Sequence, residues 1–263
     1  MSEYTFRIWR GDSSSGEFVE YKTEVDDGMV VLDVLHRIQA QQAGDMALRW
    51  NCKAGKCGSC GMEVNGKPQL ACMTRMNTYL EQDVITVQPL KTFPVIKDLV
   101  CDVSWNYDQN LKIKPFKPGT PDSDGRYRMS QEDVDRVQEF RKCIECYLCQ
   151  DVCHVLRDHN RKDVFVGPRF MIRAAGLDMH PLDVEDRIPD IRDEFGSGYC
   201  NITRCCTDVC PENIVITDNA IIPLKERVAD RYYDPIIWLW NKLFGKPKSV
   251  SYTHLTLPTI LLV

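Results

Sequence analysis

Cysteines stand close together in the run Cys143-Ile-Glu-Cys146-Tyr-Leu-Cys149-Gln-Asp-Val-Cys153. Their spacing, C-x2-C-x2-C-x3-C, is typical of a bacterial-type iron-sulfur loop, in which three thiolates bind one cubane and the fourth binds a second cluster. A chain that carries this loop must fold so that a second set of cysteines comes close to it. The position of every other cysteine in the chain therefore has to be compared with this run.

The same register recurs further along the chain, with one difference. The run Cys200-Asn-Ile-Thr203-Arg-Cys205-Cys206-Thr-Asp-Val-Cys210-Pro places Thr203 where the middle thiolate would stand. A hydroxyl is a hard oxygen and a poor substitute for a soft thiolate on iron, so one iron is expected to be absent. With the usual exchange of last cysteines, the predicted ligands are Cys143, Cys146, Cys149 and Cys210 for a 4Fe-4S cluster, and Cys153, Cys200 and Cys206 for a 3Fe-4S cluster.

Cys205 leaves an alternative open. It is adjacent to Cys206 and two positions out of register with the missing thiolate. It is either a free thiol, since unligated cysteines are commonly buried, or the ligand of a fourth iron.

A further cysteine group precedes these runs. Cys52-Lys-Ala-Gly-Lys-Cys57-Gly-Ser-Cys60 has the plant-type spacing C-x4-C-x2-C, and Cys72 follows in the next segment. The interleaved glycines allow the positive φ angles that a loop around a small inorganic core needs. Zinc is the alternative, but structural zinc sites usually come as two C-x2-C pairs. Cys52, Cys57, Cys60 and Cys72 therefore predict a 2Fe-2S cluster.

Cysteine use and charge narrow the class of protein. The chain of 263 residues has 13 cysteines, an odd and clustered set that favours metal binding over disulfides. The first residues already alternate like a strand, so we expect no secretory leader and a reducing compartment. A net charge of -5 without a basic stripe argues against a nucleic-acid partner. Without a run of about 20 apolar residues, no membrane span is expected.

The first part of the chain is predicted to be a small β-sheet domain, residues 1–100. Alternating residues over 4–9 and 18–25 predict a hairpin, and Val31, Val34, Leu35 and Ile38 predict an amphipathic helix packed on it. Strands are also predicted over 62–64 and 69–71, around an Asn-Gly turn, and over 84–87.

The second part is predicted to be helical. Residues 101–130 are rich in Pro, Gly and charge, which predicts a linker that lies on the surface as a semi-rigid strap. Ser130 and Asp133 have the spacing of a capping box for a helix that runs into Cys143. Helices are also predicted over 168–175, ending before Gly176, and over 221–233. Residues 131–248 are thus an all-helical domain with the 4Fe-4S and 3Fe-4S clusters, and the fold class is α+β.

The cysteine sets in this order, with the segments Gly-Ser-Cys60-Gly-Met and Asn65-Gly-Lys-Pro-Gln-Leu-Ala-Cys72-Met, closely resemble one family: the iron-sulfur subunits of succinate dehydrogenase and fumarate reductase. The resemblance covers roughly residues 1–245, and the family also keeps a non-ligand at the place of Thr203 and carries a 3Fe-4S cluster. It implies an N-terminal plant-ferredoxin-like (β-grasp) domain and a C-terminal helical ferredoxin domain.

The resemblance also implies partners and a location. The chain would lie between a FAD-containing flavoprotein subunit and a cytochrome b-type membrane anchor, peripheral to the cytoplasmic face of the cell membrane. Electrons would pass singly along the clusters between FAD and quinone, and no catalytic acid, base or nucleophile is assigned to this chain. The direction of the reaction and the haem content of the anchor stay open.

The quinone end departs from the commonest pattern of the family. His154, Asp158 and Asn201 stand where many relatives have Pro, Trp and His, so the quinone contacts of ubiquinone-linked relatives are not carried over. The run from Cys143 to His159 is similar to an actinobacterial branch, for which menaquinone is expected. His154 and His159 could deliver protons near the quinone, or could be ordinary exposed or packed histidines. His36 and His180 are interpreted as packing or solvated residues, and Cys101, which has no partner at ligand spacing, as a buried thiol.

The last segments of the chain differ in composition from the rest. The aromatic segment 232–244 either docks on the anchor or forms a helix that covers the cluster domain. Residues 249–263 change composition abruptly and resemble translated adapter sequence, so we expect a non-native tail whose removal leaves the clusters intact. The alternative function is an iron-sulfur adaptor of another flavoenzyme, of glycolate or heterodisulfide type.

Overall fold

The computed structural model describes residues 2–79, 82 and 84–235. Its strands are β1 (Ser2–Gly11), β2 (Gly16–Val25), β3 (Gly61–Val64), β4 (Lys67–Leu70), β5 (Val84–Gln88), β6 (Val95–Lys97) and β7 (Val100–Cys101). Its α-helices are α1 (Val31–Gln41), α2 (Ser104–Leu111), α3 (Gln131–Gln138), α4 (Leu148–Asp151), α5 (His154–Arg157), α6 (Pro168–Asp178), α7 (Ile188–Asp193), α8 (Cys205–Asp208) and α9 (Ile222–Tyr232). A π-helix covers Ile216–Ile221.

The N-terminal half is a mixed sheet with a helix packed on it. The strand order is β2-β1-β5-β3-β4, with β1 and β5 parallel and the other neighbours antiparallel. The residues Val31, Val34, Leu35 and Ile38 of α1 are buried, because their helical spacing places them on one face. The predicted hairpin, helix and further strands of this half are confirmed.

A tight turn joins β3 to β4. Asn65 and Gly66 both have positive φ angles, 50° and 76°, as a two-residue hairpin of this type requires. The hairpin returns the chain to its start, where the Ala71 N–H donates to the Cys60 carbonyl at 3.1 Å. Cys72 is thereby brought beside Cys60.

The range predicted as a linker contains more structure than expected. Strand β7 and helix α2 lie at its start, and α2 buries Asn106 and Gln109. The Gln150 side-chain amide donates to Asn106 Oδ1 at 3.3 Å, so this helix is held through buried polar groups that an apolar pattern does not reveal. Beyond α2 the chain contacts the helical half: the Arg187 guanidinium donates to the carbonyls of Lys114 and Pro115 at 2.8 and 3.0 Å. The strap itself stays a prediction.

The described residues from 102 to 235 form helices, turns and one isolated bridge, between Pro118 and Asp183. Ser130 caps α3, since its Oγ accepts from the Asp133 N–H at 3.1 Å. The end predicted for α6 is wrong: the helix continues past Gly176 to Asp178. A Cβ at position 176 would lie 3.4 Å from Phe140 Cβ, so this glycine allows close packing within the helix and does not end it.

Buried charges join the two halves. Glu63 of β3 and Asp151 of α4 have fully buried side chains, and Arg157 Nη1 lies 2.9 Å from Glu63 Oε1 and 3.9 Å from Asp151 Oδ2. The Thr92 N–H donates to Asp151 Oδ1 at 3.0 Å. Burial raises the pKa of Asp151 to about 7, and the neighbouring Glu63 adds to the rise. These contacts hold the loop after β5 against the cysteine-bearing helix α4.

No helix in the described part of the chain is both long and apolar enough to cross a bilayer. The aromatic segment beyond residue 235 and the tail 249–263 lie outside the described residues.

Candidate metal centres

The first group of thiols surrounds the loop between α1 and β3. Cys52 is exposed, Cys57 is half-buried, and Cys60 and Cys72 are buried. The N–H groups of Ala54 and Lys56 donate to Cys52 Sγ at 3.4 and 3.3 Å, and the Cys72 N–H donates to Cys60 Sγ at 3.5 Å. The loop thus directs backbone donors at its sulfur atoms.

The thiols of this loop have opposed pKa shifts. Burial opposes ionisation of Cys57, but hydrogen bonds from Ser59 and Cys52 lower its pKa to about 6. Burial raises the pKa of Cys60 to about 12, and the nearby Cys72 and Cys57 contribute to the rise. Binding of a metal cluster to the group would therefore release a proton from Cys60.

The second group lines a cavity. Its walls include Arg169 and Ile216. They also include all the thiols predicted to hold the 4Fe-4S cluster, which are those of Cys143, Cys146, Cys149 and Cys210. Burial raises the pKa of Cys146 to about 12, with Cys143 and Cys210 adding to the rise. Cys210 of the second run, about 60 residues further along the chain, therefore lines the same cavity as three cysteines of the first run.

The third group forms around Cys153 of the first run. Burial raises the pKa of Cys153 to about 12 and that of Cys206 to about 11, and in both cases Cys205 and Cys200 add to the rise. Cys205 is therefore close to the three predicted ligands.

The backbone shows that the two runs are built alike. Glu145 and Tyr147 have φ angles of 58° and 61° on either side of Cys146, and Ile202 and Arg204 have φ angles of 59° and 64° on either side of Thr203. A short helix begins directly after each pair, α4 at Leu148 and α8 at Cys205. Thr203 therefore occupies the place of Cys146, and Cys206 that of Cys149.

The same correspondence places Cys205 where Leu148 stands, a position next to the ligand and not a ligand position. Its Sγ lies 3.4 Å from the Val152 carbonyl oxygen, to which it donates, and 3.1 Å from Thr203 Oγ1. The geometry favours a hydrogen-bonded thiol at Cys205.

The residues fit iron-sulfur clusters. Among the described residues, no three Cys, His, Asp or Glu side chains converge on one point where a single metal ion could bind. The thiol groups are therefore compared with clusters of several iron and sulfur atoms. The thiol sets are soft donors, as iron in such clusters requires, and N–H groups face their sulfurs, which suits an anionic core. Arg169 lines the second cavity, and within the described part of the chain its buried Nε has no hydrogen-bond partner. A buried cation with a free donor is suited to a negatively charged occupant.

The three groups lie in sequence through the molecule. A Cβ built on Gly58 would lie 2.6 Å from Cys146 Cα, so the first loop touches the second group directly. At the other side, Cys206 of the third group raises the pKa of buried Cys149, after burial itself, Cys146 and Cys143. The second group is therefore the middle member.

Three of the histidines contact aromatic rings or a carboxylate. His36 packs edge-on against Trp50 with ring centroids 4.9 Å apart, and His180 does the same with Phe116. His154 Nδ1 lies 2.8 Å from Asp158 Oδ2 on the exposed surface. Cys101 is buried, and its thiol donates to the Leu90 carbonyl at 3.5 Å. Packing roles agree with these contacts of His36, His180 and Cys101.

Sequence reasoning missed the polar residues around the thiol groups. Arg169, Thr217 and the Glu63–Asp151–Arg157 contact were not singled out, because none belongs to a spacing motif. The one sequence signal for a buried charge at Arg169 is its set of apolar neighbours in the run Val-Gly-Pro-Arg169-Phe-Met-Ile.

Two family models match the chain. Residues 5–108 match the 2Fe-2S iron-sulfur cluster binding domain, and residues 139–214 match the 4Fe-4S dicluster domain. The zinc alternative for the first group is not supported by these matches.

Named relatives extend the comparison over most of the chain. A fumarate reductase iron-sulfur subunit from Mycobacterium tuberculosis is 33% identical, covering 76% of this chain and 82% of that protein. A succinate dehydrogenase iron-sulfur subunit from Paracoccus denitrificans is 30% identical, covering 86% and 88%. A chain of the Mycobacterium smegmatis Sdh1 complex in the apo form is 63% identical with a TM-score of 0.86, covering 89% of this chain and 98% of that chain.

Proposed function

The chain belongs to the iron-sulfur subunits of succinate dehydrogenase and fumarate reductase, and we propose that it relays single electrons through three clusters between a flavin and a quinone. It is one subunit of an oxidoreductase complex. The actinobacterial character expected from the sequence is in line with the mycobacterial relative at 63% identity. The adaptor alternative has no comparable support.

One observation carries the proposal: the thiols lie in three neighbouring groups, with the first loop in contact with the middle group and the third group close enough to shift the pKa of Cys149. We assign the 2Fe-2S cluster to the first group, Cys52, Cys57, Cys60 and Cys72. The 4Fe-4S cluster is assigned to the second group, Cys143, Cys146, Cys149 and Cys210. The 3Fe-4S cluster is assigned to Cys153, Cys200 and Cys206, because Thr203 stands in the place of Cys146 and cannot replace its thiolate.

The bound clusters would supply the one-electron redox chemistry. The residues of this chain hold, order and insulate them. Backbone N–H groups directed at the sulfur atoms stabilise the more negative, reduced state and so raise the reduction potentials. Cys149, Cys153 and Cys206 are buried, which keeps the sulfur atoms at this part of the path away from solvent. No side chain is required to transfer a proton at these groups.

The finer assignments extend the family's organisation to this chain. The partners proposed are a flavoprotein with FAD and a cytochrome b-type membrane anchor, with menaquinone as the electron acceptor or donor. The chain would lie peripherally on the cytoplasmic face, held by the anchor. The second domain is proposed to be all-helical, which the helices α3 to α9 support.

EPR of the anaerobically purified complex, with iron counted on the same sample, tests the proposal. Ligand arithmetic predicts about 9 irons per chain and a three-iron signal in the oxidised state. A 2Fe-2S signal is expected only after reduction. Zinc without iron would overturn the relay.

The same experiment on a Cys205→Ser variant tests the third cluster. A free thiol at Cys205 predicts unchanged iron content and an unchanged oxidised-state signal. Two results together would make Cys205 a ligand and contradict the 3Fe-4S assignment: no EPR signal from the oxidised parent, and loss of one iron in the variant.

A further inference from the structure

Arg169 is a buried cation beside the second thiol group. Its side chain is 5% exposed, although it follows Gly167 and Pro168 at the start of α6, where most charged side chains would reach solvent. The backbone N–H of Arg169 donates to Gln150 Oε1 at 3.2 Å, which anchors the start of the helix to α4. The position of the guanidinium is thus set by the packing of two helices.

Among the described residues, the guanidinium has one ion-pair partner. Its Nη2 pairs with Glu145, whose own side chain is 53% exposed and lies in the loop between Cys143 and Cys146. The Nε of Arg169 is buried and, among the described atoms, has no hydrogen-bond partner. A buried donor without a partner costs free energy, so its retention indicates an acceptor that the protein atoms do not provide.

The surroundings identify that acceptor by its chemistry. Arg169 lines the same cavity as Cys143, Cys146, Cys149 and Cys210. Burial opposes its charge, yet Cys143 and Glu145 leave the pKa of Arg169 raised, so it stays a cation. A cluster bound by four thiolates is an anion that becomes more negative on reduction.

We propose that Arg169 tunes the middle cluster: its charge and free Nε–H stabilise the reduced state and raise the reduction potential of that cluster relative to its neighbours. The inference rests on the proposed 4Fe-4S assignment. Glu145 opposes the effect, because its carboxylate neutralises part of the same charge. Arg169 and Glu145 form a pair whose members act with opposite sign.

The experiment is an EPR-monitored redox titration of the anaerobically purified complex. It compares the parent with Arg169→Gln, Arg169→Lys and Glu145→Gln. Arg169→Gln removes the charge and should shift the midpoint of the 4Fe-4S cluster to a more negative potential. Arg169→Lys should recover part of that shift, and Glu145→Gln should move the midpoint in the positive direction.

The other two clusters serve as internal controls. Their midpoints should change little, since the cavity that Arg169 lines is that of the second group. Equal shifts of all clusters, or an unmoved 4Fe-4S midpoint with normal signal intensity, would overturn the inference.

Failure of the proposed 4Fe-4S assignment would give a different result from failure of the inference about Arg169. If the parent itself lacks a 4Fe-4S signal, the ligand assignment fails before any variant is compared. If Arg169→Gln alone fails to assemble the cluster, Arg169→Lys decides the matter, because it keeps the charge but removes the Nε–H. A small negative shift supports tuning by this side chain, and an unmoved midpoint contradicts it.

Discussion

Thr217 shows how a hydroxyl can be directed at one sulfur atom. Its Oγ1 lies 3.4 Å from Cys206 Sγ. The Thr217 N–H donates to Thr207 Oγ1 at 3.0 Å, and the Thr207 hydroxyl donates to Thr217 Oγ1 at 3.2 Å. The hydroxyl hydrogen of Thr217 is therefore available for donation to Cys206 Sγ.

Replacing this hydroxyl should lower a reduction potential. In Thr217→Val, the potential of the cluster proposed at Cys206 should fall by about 40 mV, the one-electron equivalent of a hydrogen bond of about 1 kcal/mol. Redox titration of the oxidised-state EPR signal measures it. Thr217→Ser keeps the hydroxyl and should titrate like the parent; an equal fall in both variants would argue against the hydrogen bond.

His36 predicts a pH dependence. Its Nε2 is buried without a hydrogen-bond partner in the described part of the chain, and burial, with a contribution from Lys53, lowers its pKa below 6.5. As pH falls from 6.5 towards that lower pKa, the unfolded chain takes up a proton at this residue and the folded chain does not. The free energy of unfolding should therefore decrease over this window.

A His36→Leu variant, which cannot titrate at this position, should lose less stability over the same window. Urea unfolding of parent and variant at several pH values between 5 and about 7 measures the two slopes. Parallel slopes would show that His36 does not contribute to the pH dependence.

At the scale of elements, the contact of two loops depends on one glycine. Gly58 has a φ of 70°, and a Cβ there would lie 2.6 Å from Cys146 Cα and 2.8 Å from its Cβ. Because the obstacle is largely backbone, a side chain at position 58 must separate the first loop from the second. At this contact the first loop meets the second thiol group.

Gly58→Ala should weaken the coupling between the first and second clusters. The 2Fe-2S signal should saturate at lower microwave power, since the neighbouring cluster relaxes it less, and electrons should pass more slowly between the two. Gly66→Ala is the matched control: its φ is 76° and nothing lies within 4 Å of an added Cβ. Both variants bear backbone strain of about 1–2 kcal/mol, so equal relaxation in both would contradict the role of the contact.

The element scale also explains where sequence patterns failed. Helix α1 follows an apolar periodicity and was predicted with its buried face. Helix α2 was missed because it buries Asn106 and Gln109, whose partners come from elsewhere in the chain. Gly176 was interpreted as a helix end, but its role is to make room for Phe140 within α6.

At the scale of the whole molecule, Arg157 links the two halves by pairing with Glu63 at 2.9 Å, with Asp151 3.9 Å away. Arg157→Met should destabilise the protein by about 3 kcal/mol, because removing one partner leaves buried carboxylates uncompensated. The urea midpoint of the anaerobic protein measures the loss. With the cation gone, one of the carboxyl groups should hold a proton to higher pH.

Arg161→Met is the control for this prediction. Arg161 pairs with Asp163 at 3.1 Å, but the two side chains are 44% and 64% exposed, and a surface ion pair contributes less than about 1 kcal/mol. Similar midpoints for Arg157→Met and Arg161→Met would show that the buried contact is not a major link between the halves.

The sequence by itself determined the cysteine groups, the register that leaves Thr203 without a thiol, and the sheet with its helix, because spacing and periodicity are local properties of the chain. The ligand assignment within each group stays a prediction. Only the tertiary structure decided which groups are neighbours, that Cys205 takes the place of Leu148, and that Arg169, Thr217 and Arg157 are brought to buried sulfurs and carboxylates. These contacts join residues far apart in the chain, and no local pattern encodes the folding that brings them together.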